Sequence, residues 1–507
     1  FRRELWALCA IMATMTMTKR RSRTQTTPEN NPRHPLAMPA TVSIEMWERF
    51  SFYGMQAILA YYLYYATTDG GLGLERAQAT TLLGAYGASV YLCTLAGGWI
   101  GDRLIGTERT LLTGCIALMV GHLSLSTLSG GAGATFGLAL IAIGSGFVKT
   151  AAITILGHAY PTDDPRRDAG FQLFYLGINI GAVLGPLLTG WLSTKYTFHT
   201  GFLAAAGLMG IGLITYLALR RRYLTALSSD TATALTAPTN PISFGRAAIT
   251  ISIVIAGIVG LGVLVRVGTI PLASLATILL VLTLSAAVVL YVSMFRSRQV
   301  TAAERRQLLR YIPIFVASCT FWSILNQTYG VFAVYSDIRL DRTIGTFTIP
   351  AAWTQSLNPL YILALSVPIA WAWAKIGDRA PSAPVKMGCG VMLTGAGMLV
   401  LLPFTGGGES STPFLALALC VLIVSLGELL VGPVGMSATT AHAPGTYRTR
   451  FSALYFLTMA IGTSTAGTLS GFYHPESGSA EFTYFVCCGL AAVIIGAGTT
   501  AISARMK

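Results

Sequence analysis

Predominantly apolar runs of about twenty residues recur from end to end of the chain. They fall at about 38–66, 80–104, 109–130, 132–158, 170–194, 198–219, 247–267, 272–295, 311–336, 349–374, 387–404, 413–439, 451–472 and 482–504. A helix needs about 20 such residues to cross a bilayer's hydrocarbon core. The pattern therefore predicts an all-α membrane protein with fourteen transmembrane helices.

Composition agrees. Of 507 residues, 53% are apolar and 11% charged, where a soluble domain carries about 25% charged residues. The net charge of +14 would suggest nucleic acid in a soluble chain, but its distribution gives a topological reading instead. Twenty bases fall in one set of loops and the C-terminal tail, five (Arg76, Lys195, Arg266, Arg339, Arg342) in the opposite loops, and seven in the leader. The basic-rich side faces the cytoplasm, so both termini are expected there, in the inner (cytoplasmic) membrane. Leu5 to Met15 is followed, not preceded, by its basic cluster, unlike a signal peptide. Residues 1–37 are expected to be a disordered cytoplasmic leader. The eight cysteines form no C-x-x-C pair and read as small buried hydrophobes, with no disulfide or metal.

An internal repeat gives the architecture. Ile100-Gly101-Asp102-Arg103 recurs as Ile376-Gly377-Asp378-Arg379, and similar offsets relate Phe171 and Tyr175 to Phe451 and Tyr455. This predicts a six-helix bundle over 38–222, a cytoplasmic linker over 223–246, two inserted helices over 247–298 and a second six-helix bundle over 299–507. Parallel six-helix repeats build one large class of secondary transporters, with substrate held near the midplane between the halves. A duplicated scaffold without transport is the bland alternative.

Five ionisable residues lie within the apolar runs: Glu45, Glu48, Arg49, Lys149 and Glu428. A charge at the bilayer centre costs at least about 2.5 kcal/mol, so these groups should face a polar interior. Glu45, Glu48 and Arg49 share one helix face with Phe52, Tyr53 and Gln56. Two carboxylates beside one guanidinium suggest that one carboxyl exchanges a proton at physiological pH; a permanently ionised staple is the alternative. Lys149 and Glu428 sit at nearly equivalent depths of the two halves. A cavity with Arg49 and Lys149 on one wall and Glu428 on the other suits a zwitterion, unless Lys149 simply pairs with Glu428. Tyr91, Asn179, Trp322, Asn326, Gln327, Asn358 and Tyr455 add polar groups within the runs. Pro186, Pro359 and Pro433 read as mid-span kinks, and His122 as a satisfied packing histidine rather than a proton shuttle. Neither H-E-x-x-H nor G-x-S-x-G occurs, so no enzyme is expected.

Glu45-x-x-Glu48-Arg49-Phe50-Ser51-Phe52-Tyr53-Gly54 resembles the signature of proton-dependent oligopeptide transporters of the major facilitator superfamily. Gly98 to Gly106, Phe171 to Gly181, Gln355 to Pro359 and Gly427 to Gly435 resemble the same family. The resemblance implies two six-helix bundles plus two inserted helices, and proton-coupled import of di- and tripeptides. It puts proton coupling on Glu45, Glu48, Arg49 and Lys149. It puts substrate contacts on Arg49, Tyr53, Gln56, Tyr91, Lys149, Asn179, Trp322, Asn326, Asn358, Glu428 and Tyr455. Protons are the coupling ion and no cofactor or metal is expected. The expected partners are small peptides and membrane lipid, with no nucleic acid, no obligatory protein partner and a monomeric state.

The sequence departs from the family at four places. Gln56 stands where an arginine is expected, Asn326 where a glutamate is, Ala151 where an asparagine is and Tyr455 where a tryptophan is. The first two suggest that a salt-bridge gate across the halves has become an amide hydrogen bond. Asp102-Arg103 and Asp378-Arg379 are expected to latch the inner side when the cavity faces outward. Two alternatives remain open: transport of another small solute, such as an amino-acid derivative, nitrate or a drug-like anion, and a substrate-sensing receptor.

Overall fold

A computed structural model describes residues 34–160, 164 and 166–505; residues 1–33, most of the expected leader, lie outside the described residues. The described residues are mainly helical, with two short strand pairs in the loops of the second half: α1 (Ala37–Tyr64), α2 (Arg76–Ile100), α3 (Thr107–Thr127), α4 (Gly130–Ala159), α5 (Arg167–Lys195) and α6 (Phe198–Ala226) form the first half. After α7 (Ser229–Thr236) come α8 (Phe244–Arg266) and α9 (Leu275–Phe295), the two inserted helices. The second half holds α10 (Ala302–Leu325), α11 (Val331–Ile338), α12 (Leu357–Ile376), α13 (Ala383–Leu399), α14 (Phe414–Ala441), α15 (Arg448–Ser470) and α16 (Gly478–Arg505). Among the described residues, twelve helical segments are long and apolar enough to cross a membrane. Of the fourteen expected spans, α1 and α15 fall outside that set although they have 28 and 23 residues. Three ionisable residues sit in α1, and α15 is rich in Ser and Thr.

Each half encloses its own apolar core. In the first, α1 packs on α5 and α6; in the second, α13 packs on α14 and α16. The inserted helices differ from each other. Helix α9 packs on α2 and α15, whereas α8 is exposed along nearly its whole length, as an apolar helix surrounded by lipid can be.

Several expectations change. The linker is not featureless: Ser228 caps α7, its hydroxyl accepting from Thr231 N, as expected of an N-cap serine. The apolar run at 311–336 breaks at Asn326–Thr328, a short 3-10 turn between α10 and α11. Pro359 is the third residue of α12 and follows the 3-10 turn Ala351–Ser356, within a span that runs over Ala351–Ile376.

Two ion pairs, each with a fully buried carboxylate, were invisible to the hydropathy pattern. Arg220 of α6 grips Glu108 at the start of α3. Arg339, counted as a loop base, is only 2% exposed. Its guanidinium donates to Gly408 O at 2.9 Å, Phe404 O at 2.7 Å and Glu481 Oε2 at 3.0 Å, while Glu481 also accepts from Tyr473 OH. Arg339→Met strands that carboxylate and is expected to destabilise the protein by about 3 kcal/mol. A thermal unfolding midpoint in detergent unchanged from the parent would refute this.

Candidate functional site

Helix α1 brings its polar face against α4 and α5. A Cβ on Gly54 would lie 2.8 Å from Thr189 Cγ2, and Thr189 Oγ1 donates to Gly54 O at 2.6 Å, so α1 and α5 cross nearly backbone to backbone. Glu45, Glu48 and Arg49 are all buried there. Arg49 Nε lies 2.8 Å from Glu45 Oε1 and 2.9 Å from Glu48 Oε2. Its N–H is aligned on Glu45, and Nη2 has no hydrogen-bond partner. The fully buried Ser145 of α4 donates to Glu48 Oε1 at 2.7 Å. The expected cluster thus exists as a compact network, with one guanidinium donor unused.

Sequence reasoning missed Ser145. A lone hydroxyl in an apolar helix normally bonds back to its own backbone and gives no signal. Removing a donor to a buried carboxylate costs about 1.5–3 kcal/mol, so Ser145→Ala is expected to slow proton-driven uptake about ten-fold. Ser145→Thr, which keeps the hydroxyl, should retain it. Equal rates for the alanine and parent proteins would remove Ser145 from the coupling network.

Lys149 does not pair with Glu428. Its ammonium lies 4.8 Å from the centre of the Tyr91 ring, within electrostatic range of Arg49, Glu48 and Glu45. Tyr53 stacks on Tyr329 at 6.3 Å and lies within electrostatic range of both Arg49 and Glu428, so it links the two walls. Asn358 Nδ2 donates to Glu428 Oε2 at 2.8 Å and to Ser425 Oγ at 3.0 Å; no cation pairs with Glu428 among the described residues. Asn179 Nδ2 donates to Tyr175 O of its own helix at 2.9 Å. Bases on one wall and an unpaired acid on the other are the arrangement a zwitterion needs.

Other expectations fail. Gln56 and Asn326 make no hydrogen bond to each other: Asn326 Nδ2 donates to Trp322 O at 2.7 Å, and Gln56 Oε1 has no partner. An uncharged amide has no long-range pull, and the nearest backbone carbonyl wins. Tyr455 OH donates to Gly432 O at 3.1 Å, tying α15 to α14, and Trp322 Nε1 is buried without a partner. His122 is buried with neither ring nitrogen hydrogen-bonded, so it is not a satisfied packing histidine. The inner latch, expected only of the outward-facing state, is neither met nor contradicted: Asp102, Arg103 and Arg379 form no ion pair among the described residues and are exposed, while the side chain of Asp378 lies outside the described residues. The Asp102 and Arg103 carbonyls instead accept from Asn240 N and Ile242 N of the linker.

The halves meet at the other end, the expected outer one. Tyr64 OH and Tyr65 OH donate to the two carboxylate oxygens of Asp337 at 2.6 and 2.9 Å. Arg76 pairs with Glu476 at 2.6 Å, and Trp353 Nε1 donates to Leu187 O at 2.9 Å. Gly84 of α2 and Gly467 of α15 abut, a Cβ on Gly467 falling 2.7 Å from Gly84 Cα. This end is closed, and no ion pair of Asp102, Arg103 or Arg379 ties the halves at the other among the described residues.

A family model described as the POT family matches residues 108–486. The chain is 36% identical to an uncharacterized transporter, YclF, of Bacillus subtilis over 91% of this chain and 92% of that protein. It is equally 36% identical to a di-/tripeptide transporter of Lactococcus lactis subsp. cremoris, over 91% of this chain and 94% of that one. Among solved structures, a peptide transporter POT in complex with sulfate superposes with a TM-score of 0.87 at 37% identity, covering 95% of this chain and 97% of that chain. A POT family transporter in complex with 5-aminolevulinic acid gives 0.86 at 31% identity, covering 94% and 97%.

Proposed function

Because the chain belongs to the POT family, a family of multi-pass membrane transporters and not of enzymes, we propose that it is a proton-coupled symporter importing di- and tripeptides across the cytoplasmic membrane. The observation that carries this reading is the pairing of the Glu45–Arg49–Glu48 network with an unpaired Glu428 on the facing wall. Orientation follows the basic-residue count, with both termini cytoplasmic, and the structure then corresponds to an inward-facing state. It functions as a monomer without an obligatory partner.

Transport runs by rocking of the two halves. With both first-helix carboxyls ionised, Arg49 is neutralised from two sides. Protonation of one carboxyl leaves the guanidinium and Lys149 to meet the peptide carboxylate, while Glu428, held by Asn358, meets the peptide amine. Proton and peptide then favour each other's binding by the same factor. Closure of Asp102-Arg103 and Asp378-Arg379 belongs to the outward-facing state.

A second reading is favoured by the relative whose structure holds 5-aminolevulinic acid: an amino-acid derivative also presents an amine and a carboxylate. Uptake of labelled dialanine into proteoliposomes under an inward proton gradient separates the two. Accumulation abolished by a protonophore and competed by tripeptide is expected. Absence of accumulation, or competition only by 5-aminolevulinic acid or nitrate, would replace the peptide reading.

A further inference from the structure

Between α1, α2, α15 and the Asn326–Thr328 turn, beside the Tyr53–Tyr329 stack, lies a small cavity lined by Gln56, Thr80, Asn326, Gln327, Thr463 and Ser470 among others. Gln327 is fully buried and Gln56 nearly so. Three of their side-chain atoms, Gln56 Oε1, Gln327 Oε1 and Gln327 Nε2, have no hydrogen-bond partner. Each buried orphan costs about 1–3 kcal/mol, so this cluster is not a neutral feature of packing.

The cavity offers both acceptors and a donor. The hydroxyls of Thr80, Thr463 and Ser470 donate into their own helices, and the Asn326 amide donates to Trp322 O. What remains is the Gln56 and Gln327 carbonyl oxygens as acceptors and the Gln327 amide nitrogen as a donor, so an occupant must both donate and accept hydrogen bonds. A cation cannot do this, no acid lines the cavity to balance one, and a buried charge without a counter-ion is prohibitive. Size decides the rest: the interior leaves about 10 Å³ for the centre of a water-sized sphere, which is room for about one water.

We propose that this is a binding site for a single water molecule that bridges Gln56 of the first half to Gln327 of the second. It donates to Gln56 Oε1 and meets the Gln327 amide at either end. The gate bond expected directly between Gln56 and Asn326 is thereby replaced by a water-mediated one to the next residue. A bridging water is nearly as favourable as a direct bond, and it leaves when the halves part. Its role in gating rests on the transporter reading above, whereas the site itself does not.

The test is a crystal structure of the intact, substrate-free protein at a resolution that shows ordered water, with the same measurement on Gln327→Met. The expected result is one solvent peak within hydrogen-bond distance, about 2.6–3.2 Å, of both Gln56 and Gln327, lost in the variant. A direct contact between the two amides, no peak, or a peak that survives in Gln327→Met would each overturn the proposal. Because nothing is transported in this experiment, its failure is separate from failure of the peptide reading. In proteoliposomes of the same variant, loss of one bond from the closed gate should raise the labelling rate of a cysteine placed at the buried Ser470 from the outer side about five-fold; an unchanged rate in a variant that has lost the peak would remove the water from the gate.

Discussion

Glu48→Gln is expected to abolish proton-driven accumulation while leaving peptide exchange across the membrane intact. Each coupled proton can raise the accumulation ratio about ten-fold per unit of pH gradient, and the variant should bring that ratio to one. The reason lies in the geometry. Arg49 is flanked by Glu45 Oε1 at 2.8 Å and Glu48 Oε2 at 2.9 Å, with Glu48 also held by Ser145. Glutamine keeps the shape and mimics the protonated carboxyl permanently. The cycle can then rock with Arg49 released, but no proton need accompany the peptide. Preloaded vesicles separate the two functions, since counterflow of labelled dialanine needs no gradient. Gradient-dependent accumulation by Glu48→Gln at the parent level would show that this carboxyl carries no coupling proton, and loss of counterflow as well would show that it binds or stabilises instead.

The second large effect falls on Glu428. Glu428→Gln should raise the KM for dialanine about 100-fold, equivalent to about 2.7 kcal/mol, the loss of a charge-assisted pairing with the peptide amine in a site shielded from water. Asn358 supports this carboxylate through a 2.8 Å hydrogen bond, and no cation among the described residues pairs with it. The specificity of the prediction lies in the control: for N-acetylated dialanine, which has no ammonium group, parent and variant should be equally poor. If the variant impaired the acetylated and free peptides by the same factor, Glu428 would be acting on the fold or the rocking motion rather than on the amine.

Membrane residence, the two-half architecture with two inserted helices, and the residues of both charged walls were legible in the sequence, because lipid imposes a uniform penalty on polar groups. Any ionisable residue inside an apolar run must answer to that penalty wherever the helix packs, so Glu45, Glu48, Arg49, Lys149 and Glu428 stand out without coordinates. The repeated Gly-Asp-Arg loops set the order of the helices in the same way. What the sequence could not supply was who meets whom. Ser145 is one hydroxyl among many until α4 lies against α1. Arg339 and Glu481 read as loop charges until the loops fold over them. Gln56 and Asn326 were paired by the family pattern, yet Asn326 turned to its own backbone and left Gln327, noted in the sequence only as a polar group within an apolar run, facing Gln56 across a water-sized cavity. Hydropathy is a property of each residue against its solvent and survives in one dimension, whereas a hydrogen bond depends on the distance and direction between two groups remote in the chain, which only the packing of the helices decides.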